Sequence, residues 1–184
     1  IDTSSSDRTS PGDAFWLAGI TANNGTDNRV ITNSGADVVK VEKGIKASGT
    51  GSNTINTGKD AGDEISIGAN VVAASGGRNN LTSETMKVNA TTDDGAVLAK
   101  SGTNMLDASG DITINMNYAS TSSYGGVGVN ASNQGKTQGG HNLINSDAGT
   151  VAVNVTTNGK NAIGVSAGLD SSNTVTAGNE VNIN

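Results

Sequence analysis

The strongest constraint on the fold is a set of three strand-like motifs that recur in one fixed order along residues 19–184. The first motif is a short aliphatic run such as Ile45-Lys46-Ala47. The second is an Asn followed within two residues by an aliphatic, as in Asn53-Thr54-Ile55. The third alternates aliphatic and polar residues, as in Ile65-Ser66-Ile67. Strict alternation indicates strands with one buried face, so each repeat of about 26 residues predicts three short strands.

Six such repeats predict an all-β fold, a right-handed parallel β-helix of about six coils with three short strands each. A β-sandwich is the alternative, although hairpin partners would not carry the same motifs in the same order. Successive coils would stack at ~4.8 Å, so that like side chains form inward rows. We expect one set of aliphatic side chains to be buried in such rows: Ile65, Ile67, Ile112, Ile114, Val151 and Val153.

The repeat also suggests how the chain is organised. Residues 13–184 are predicted to form the β-helix, and because a strand pattern runs to the last residue, we interpret the chain as a piece of a longer protein. Residues 13–18 would cover the open first coil through Phe15 and Leu17. Residues 1–12 carry no pattern and are predicted to be a flexible arm.

Composition excludes several classes of protein. Gly, Asn, Thr and Ser account for 91 of the 184 residues, aromatics for 2%, and there is no Cys. The absence of Cys excludes a disulfide scaffold. A membrane-spanning helix is excluded because no apolar run approaches ~18 residues. The net charge of −6 and the absence of a basic cluster argue against nucleic acid as a partner. Recurrent Val and Ile in alternating runs argue against disorder.

One Asn per repeat occupies an equivalent position in the second motif. Amides that stack on successive coils can hydrogen-bond along the rod axis, as they do in cross-β assemblies. We therefore predict a structural Asn ladder rather than a ligand site. Its predicted members are Asn28, Asn53, Asn80, Asn104, Asn142 and Asn173.

Carboxylates recur just before the third motif in five of the six repeats. The row consists of Asp37, Asp63, Glu84, Asp111 and Glu180. Neighbouring like charges would splay into solvent, be screened by Lys, or share a cation, and Ca²⁺ prefers such oxygen ligands. We expect solvated acids and no cofactor, with weak calcium binding as the alternative.

Catalytic signals are weak. His141 is the only His, so a Ser-His-Asp triad would require it, and it stands in the predicted turn Gly139-Gly140-His141-Asn142. Paired carboxylates on neighbouring coils could instead support polysaccharide lyase or glycosidase chemistry. The candidates for that chemistry are Asp60, Asp63, Glu64, Asp93, Asp94, Asp107 and Asp111. Aromatics and Arg, which surround bound sugars in such enzymes, are scarce, and we predict a protein that is not an enzyme.

Two intervals between ladder Asn residues exceed the usual repeat length, with 38 residues from Asn104 to Asn142 and 31 from Asn142 to Asn173. The excess should leave the coil as loops, predicted at residues 118–126 and 133–140. Both Tyr residues, Tyr118 and Tyr124, fall in the first. Because function on repeat scaffolds concentrates on loops and Tyr binds at low entropic cost, they are the predicted binding loop.

The repeat grammar supports a family resemblance. The segment 44–56, Gly-Ile-Lys-Ala-Ser-Gly-Thr-Gly-Ser-Asn-Thr-Ile-Asn, followed by Gly and an alternating strand, resembles passenger domains of Gram-negative autotransporters and related exported filamentous adhesins. The resemblance implies a right-handed, three-faced β-helix on the bacterial surface or secreted, anchored through a region outside this chain. It also implies attachment to a host cell-surface protein or glycan, or aggregation of cells, without membrane insertion by this fragment.

Other readings stay open. Asn161-Ala162-Ile163-Gly164 is similar to head repeats of trimeric autotransporter adhesins, and phage fibres or tailspikes share the predicted geometry. The alternating pattern at Val181-Asn182-Ile183 would leave a strand edge, and such edges recruit other edges. We therefore expect concentration-dependent self-association of the fragment.

Overall fold

The computed structural model describes residues 14–22, 25–32, 35–47, 50–73, 76–91, 95–99, 102–119, 126–131, 140–158, 162–167 and 172–184. Over these ranges the chain forms nineteen β-strands and no helix, so none of them contains a helix that could cross a membrane. The predicted arm at residues 1–12 lies outside the described residues.

Sheet 1 contains every strand of the third motif, preceded by the strand at the start of the rod. Its seven parallel strands are, in spatial order, β1 (Ala14–Leu17), β4 (Val38–Val41), β7 (Glu64–Ile67), β10 (Thr85–Ala90), β13 (Ile112–Tyr118), β16 (Val151–Thr157) and β19 (Val181–Ile183).

Sheets 2 and 3 contain the strands of the first and second motifs. Sheet 2 runs β2 (Ile20–Ala22), β5 (Ile45–Ala47), β8 (Val71–Ala73), β11 (Val97–Ala99), β14 (Val127–Asn130) and β17 (Ile163–Ser166). Sheet 3 runs β3 (Asn28–Ile31), β6 (Asn53–Asn56), β9 (Arg78–Ser83), β12 (Thr103–Ala108), β15 (His141–Ser146) and β18 (Ser172–Ala177).

Each strand pairs in parallel with the strands three before and three after it, which is the topology of a three-faced parallel β-helix. Coil 1 comprises β1 to β3, coil 6 comprises β16 to β18, and β19 begins a seventh turn. The predicted fold class, with six coils of three short strands, is confirmed. Its handedness stays a prediction.

The core is a column of stacked aliphatic side chains between the three sheets. Ile65, Ile112 and Val151 lie on one inward row of sheet 1, and Ile67, Ile114 and Val153 on the next, all with no exposed surface. Because the parallel register places like residues above one another, aliphatic side chains stack directly on their equivalents along the rod axis. The predicted burial of all six is confirmed.

Tight corners between the sheets depend on glycine. Gly44, between β4 and β5, has a φ of 96°, in the left-handed region that favours glycine. A Cβ at this position would also lie 2.5 Å from the carbonyl oxygen of Asn70 on the next coil. The corner therefore needs glycine both for its backbone conformation and for the close approach of successive coils.

The first aromatic residues belong to the solenoid itself. The prediction placed residues 13–18 over the first coil, but residues 14–17 form β1, in register with β4. Phe15 and Leu17 point inward beside Val39 and Val41 and pack against the core. Because successive side chains of a strand point to opposite faces of the sheet, Trp16 points outward. Phe15 and Leu17 thus lie at the end of the core as part of the first strand of the solenoid.

Two predicted positions are corrected. His141 is the first residue of β15 and not part of a turn, because it pairs with Thr103 and Ser172 on neighbouring coils. Tyr118 is the last residue of β13 and is half-buried beside Thr157, so it does not lie in a loop. Tyr124 and most of both predicted loops, at 120–125 and 132–139, fall outside the described residues.

Candidate functional site

The inward face of sheet 3 carries a continuous column of amides, here called the inner ladder. The Nδ2 of each member but the last donates to the Oδ1 of the Asn on the next coil, over 2.7 to 2.8 Å. The members are Asn28, Asn53, Asn79, Asn104, Asn142 and Asn173.

A second hydrogen bond from each of the first five amides ties the inner ladder to sheet 2. Asn53, for example, also donates through Nδ2 to the carbonyl oxygen of Val72, 2.7 Å away. Asn53, Asn79 and Asn104 have no exposed surface. Their donors and acceptors bond within the fold and face no solvent, so this part of the inner ladder holds two sheets together at a corner and is closed to a ligand.

The ladder prediction was wrong at Asn80. The motif is Asn-x-aliphatic, since period-two alternation places the Asn and the aliphatic on the same inward face. In Asn79-Asn80-Leu81 this selects Asn79, which pairs with Asn53 and Asn104, while Asn80 lies on the outward side beside Thr54 and Met105. The other five predicted members are confirmed by their hydrogen bonds.

Three members of the carboxylate row accept hydrogen bonds from backbone N–H groups in the turns that lead into sheet 1. Asp63 accepts the backbone N–H of Asp37 through Oδ1 and that of Asp60 through Oδ2, each at 2.9 Å. Glu84 accepts the N–H of Gly62 in the same way.

The remaining members of the carboxylate row do not converge on a metal site with the others. Asp111 accepts the N–H of Thr150 on the next coil at 2.8 Å, and Glu180 is exposed. Among the residues that the structure describes, no three acidic or His side chains converge to hold a metal ion. Asp63, Glu84 and Asp111 therefore stabilise turns, and the described geometry gives no support to the calcium alternative.

Asp63 is the member of the row with the most perturbed environment. Its side chain is fully buried, and burial raises the pKa of its carboxyl above the ordinary value, while the N–H bonds from Asp37 and Asp60 oppose the increase. The negative charges of Asp37 and Asp60 add to the increase. Asp63 is thus a structural acid that is easier to protonate in the folded chain than in the unfolded chain.

We expect Asp63→Ala to destabilise the fold by about 2 kcal/mol, since the N–H groups of Asp37 and Asp60 lose their acceptor, the first of them in a buried hydrogen bond. Because the folded pKa of Asp63 is raised, its stabilising contribution is fully present below the unfolded pKa and declines as pH rises through the folded pKa. The loss in Asp63→Ala should therefore be larger near pH 4 than at pH 7. Urea unfolding at both pH values measures it.

Glu180→Ala is the matched control for this measurement, because it removes an exposed carboxylate from the same row. It should change the free energy of unfolding little at either pH. A loss in Asp63→Ala that grows as pH rises would contradict the assignment of Asp63 as a desolvated acid.

A lysine in the long turn between β6 and β7 links three coils. Lys59 Nζ lies 2.8 Å from Asp107 Oδ1 on coil 4 and 2.9 Å from Asp147 Oδ2 on coil 5. Partial burial opposes the charge, but the hydrogen bonds and charges of Asp107 and Asp147 outweigh it and raise the pKa of Lys59. The Lys59 hydrogen bond, with one from Asn145, lowers the pKa of Asp147. Asp107, a candidate catalytic acid, is thus an ion-pair partner.

His141, the candidate for a Ser-His-Asp triad, lies on the surface of sheet 3. His141 Nδ1 lies 2.9 Å from Ser172 Oγ on the exposed surface of sheet 3. Among the described residues no carboxylate hydrogen-bonds the other ring nitrogen of His141, so the third member of a triad is lacking. Asp93 and Asp94 lie outside the described residues.

The outward face of sheet 1 aligns aromatic, charged and polar side chains along the rod. Strand register aligns one outward side chain from each of its seven strands, a set here called the Trp16 row: Trp16, Lys40, Ser66, Lys87, Thr113, Ala152 and Asn182. Trp16 is 67% exposed, and Lys40 Nζ lies 5.0 Å from the centroid of its ring, a cation–π contact.

A second amide column, the outer ladder, runs beside the Trp16 row. Asn115 Nδ2 donates to Asn89 Oδ1 at 2.8 Å, Asn154 to Asn115 at 3.0 Å and Asn184 to Asn154 at 3.0 Å. Its donors point toward the first coil, opposite to those of the inner ladder. An amide has two N–H donors and two lone pairs, so each central member keeps one of each beyond the ladder bonds.

The outer ladder was not predicted, although the sequence contains its signal. Each member directly follows the second inward aliphatic of a third motif, as in Val88-Asn89 and Ile114-Asn115.

Comparison with known family models, curated proteins and solved structures finds no match for this chain. The outward face of sheet 1, with the Trp16 row and the outer ladder, is therefore chosen as the candidate functional site on its own geometry.

Proposed function

We propose that the chain is a rigid, non-enzymatic segment of an exported bacterial adhesin that attaches cells to a surface or to one another. The observation that carries the proposal is the outward face of sheet 1, where an indole, two ammonium groups, hydroxyls and amides line up at strand spacing over seven strands. The resemblance of the repeat to autotransporter passenger domains and filamentous adhesins supports the same function and an extracellular location.

The geometry suits attachment better than turnover. Groups repeated at ~4.8 Å along a flat sheet contact an extended partner at many weak points, and linked weak contacts give strong overall binding. Catalysis needs reactive groups gathered around one bond. Three of the candidate acids are engaged otherwise: Asp63 and Asp111 accept backbone N–H groups, and Asp107 pairs with Lys59.

Attachment of particles tests the proposal. Beads coated with the folded chain should bind to cultured epithelial cells or to bacterial cells several times more than beads coated with the Ile114→Asp variant, which should be unfolded. Polysaccharides incubated with the chain should release no new reducing ends. Equal binding of the two bead types would refute attachment, and cleavage of a polysaccharide would favour the lyase or glycosidase alternative.

A further inference from the structure

The first four positions of the Trp16 row form a shallow strip of mixed chemistry. Trp16 and Lys87 are exposed, and Lys40 and Ser66 are half-buried. At the usual strand spacing, Lys40 and Lys87 lie two coils and ~10 Å apart, and the four residues span ~14 Å. An extended ligand that follows the rod axis could meet all four.

The strip is positive on an acidic chain. The net charge of the chain is −6, yet no member of the Trp16 row carries a carboxylate. Glu64 lies in the neighbouring outward row, in register with Val38 and Thr85, and Glu42 follows the end of β4. Two ammonium groups at a fixed separation attract a ligand whose negative charges recur at a similar separation.

We propose that this part of the Trp16 row binds an acidic polysaccharide, a chain of sugar rings that carries anionic groups at regular intervals. The negative face of the indole ring attracts the C–H bonds of a sugar ring. Lys40 and Lys87 pair with anionic groups, and Asn89, two residues beyond Lys87 on the same outward face, offers its amide to sugar hydroxyls. The inference rests on the proposed attachment function and names its partner.

Other occupants fit the strip less well. A neutral polysaccharide would use Trp16 but leave both ammonium groups without partners. Nucleic acid binds to broader basic surfaces. A lipid bilayer needs a wide apolar face for interfacial binding, whereas the strip offers a single exposed indole with polar neighbours. Each of these ligands enters the test as a competing outcome.

Trp16 is the only tryptophan in the chain, so its emission reports directly on the strip. Titration with dextran sulfate or with polygalacturonate should change the Trp16 emission, and unsulfated dextran should not. The acidic polymers should bind more weakly as ionic strength rises, because exposed charges are screened. The variant Lys40→Gln with Lys87→Gln should weaken binding about tenfold.

The control variant is Lys43→Gln with Lys46→Gln, which changes the net charge equally at two exposed lysines outside the row. It should keep the affinity of the original chain. The inference is overturned if neither acidic polymer changes the emission, if dextran, DNA or anionic vesicles bind as tightly, or if the control variant weakens binding equally. Beads that attach to cells while acidic polymers fail to bind would overturn this inference alone, and beads that do not attach would overturn the proposed function.

Discussion

Replacing Ile114 by Asp is expected to unfold the centre of the solenoid, with a loss of more than about 4 kcal/mol. Ile114 has no exposed surface and lies between Val88 and Val153 on the neighbouring coils. A carboxylate there would be buried with no cation beside it. Circular dichroism and urea unfolding of Ile114→Asp measure the effect.

Thr113→Asp provides the control, because Thr113 is the preceding residue of the same strand and points outward. It should unfold within about 0.5 kcal/mol of the unmodified chain. If both variants melted at similar temperatures, the inward and outward assignment of β13 would be wrong.

The inner ladder predicts a large difference between two adjacent asparagines. Asn79→Ala should cost about 3 kcal/mol or more, because it removes the acceptor of one Asn53 N–H and the donor to Asn104 Oδ1 and to the carbonyl of Leu98 in a buried column. Asn80→Ala should cost less than about 0.5 kcal/mol. Its Oδ1 is buried with no hydrogen-bond partner, so its removal sacrifices no bond at that atom.

Thermal unfolding of the two Ala variants, measured in parallel, tests the ladder register. The variants have identical composition, so any difference comes from position alone. Equal losses, or a larger loss at Asn80, would show that the amide column is not assembled as described.

Periodicity predicted the solenoid because each inward row repeats one physical requirement, an aliphatic side chain that stacks on its equivalent one coil away. Ile65 and Ile112 could be placed by alternation alone, since a shift of one residue would expose the whole row. The error at Asn80 arose where two Asn residues are adjacent. Only the distance to Leu81, counted at period two, distinguishes them.

The candidate site was harder to predict, because it depends on which outward residues the coils align. Trp16 and Lys40 are 24 residues apart in the sequence, and their contact exists only once β1 and β4 are in register. The carboxylates looked equivalent in the sequence, but the backbone N–H that each one meets depends on how the coils stack, since Asp63 accepts that of Asp37 and Asp111 accepts that of Thr150. Lys59 reaches Asp147 across three coils for the same reason.

The central claim is that the outward face of sheet 1 is the attachment surface, and site-directed blocking tests it most directly. The chain has no Cys, so Thr113→Cys gives one attachment point for polyethylene glycol in the middle of that face. Thr103→Cys is the matched control, the same residue type on the adjacent coil but on the outward side of sheet 3. We predict that polymer at position 113 abolishes bead attachment to cells and polymer at position 103 leaves it intact. Equal attachment of the two modified proteins would contradict the account.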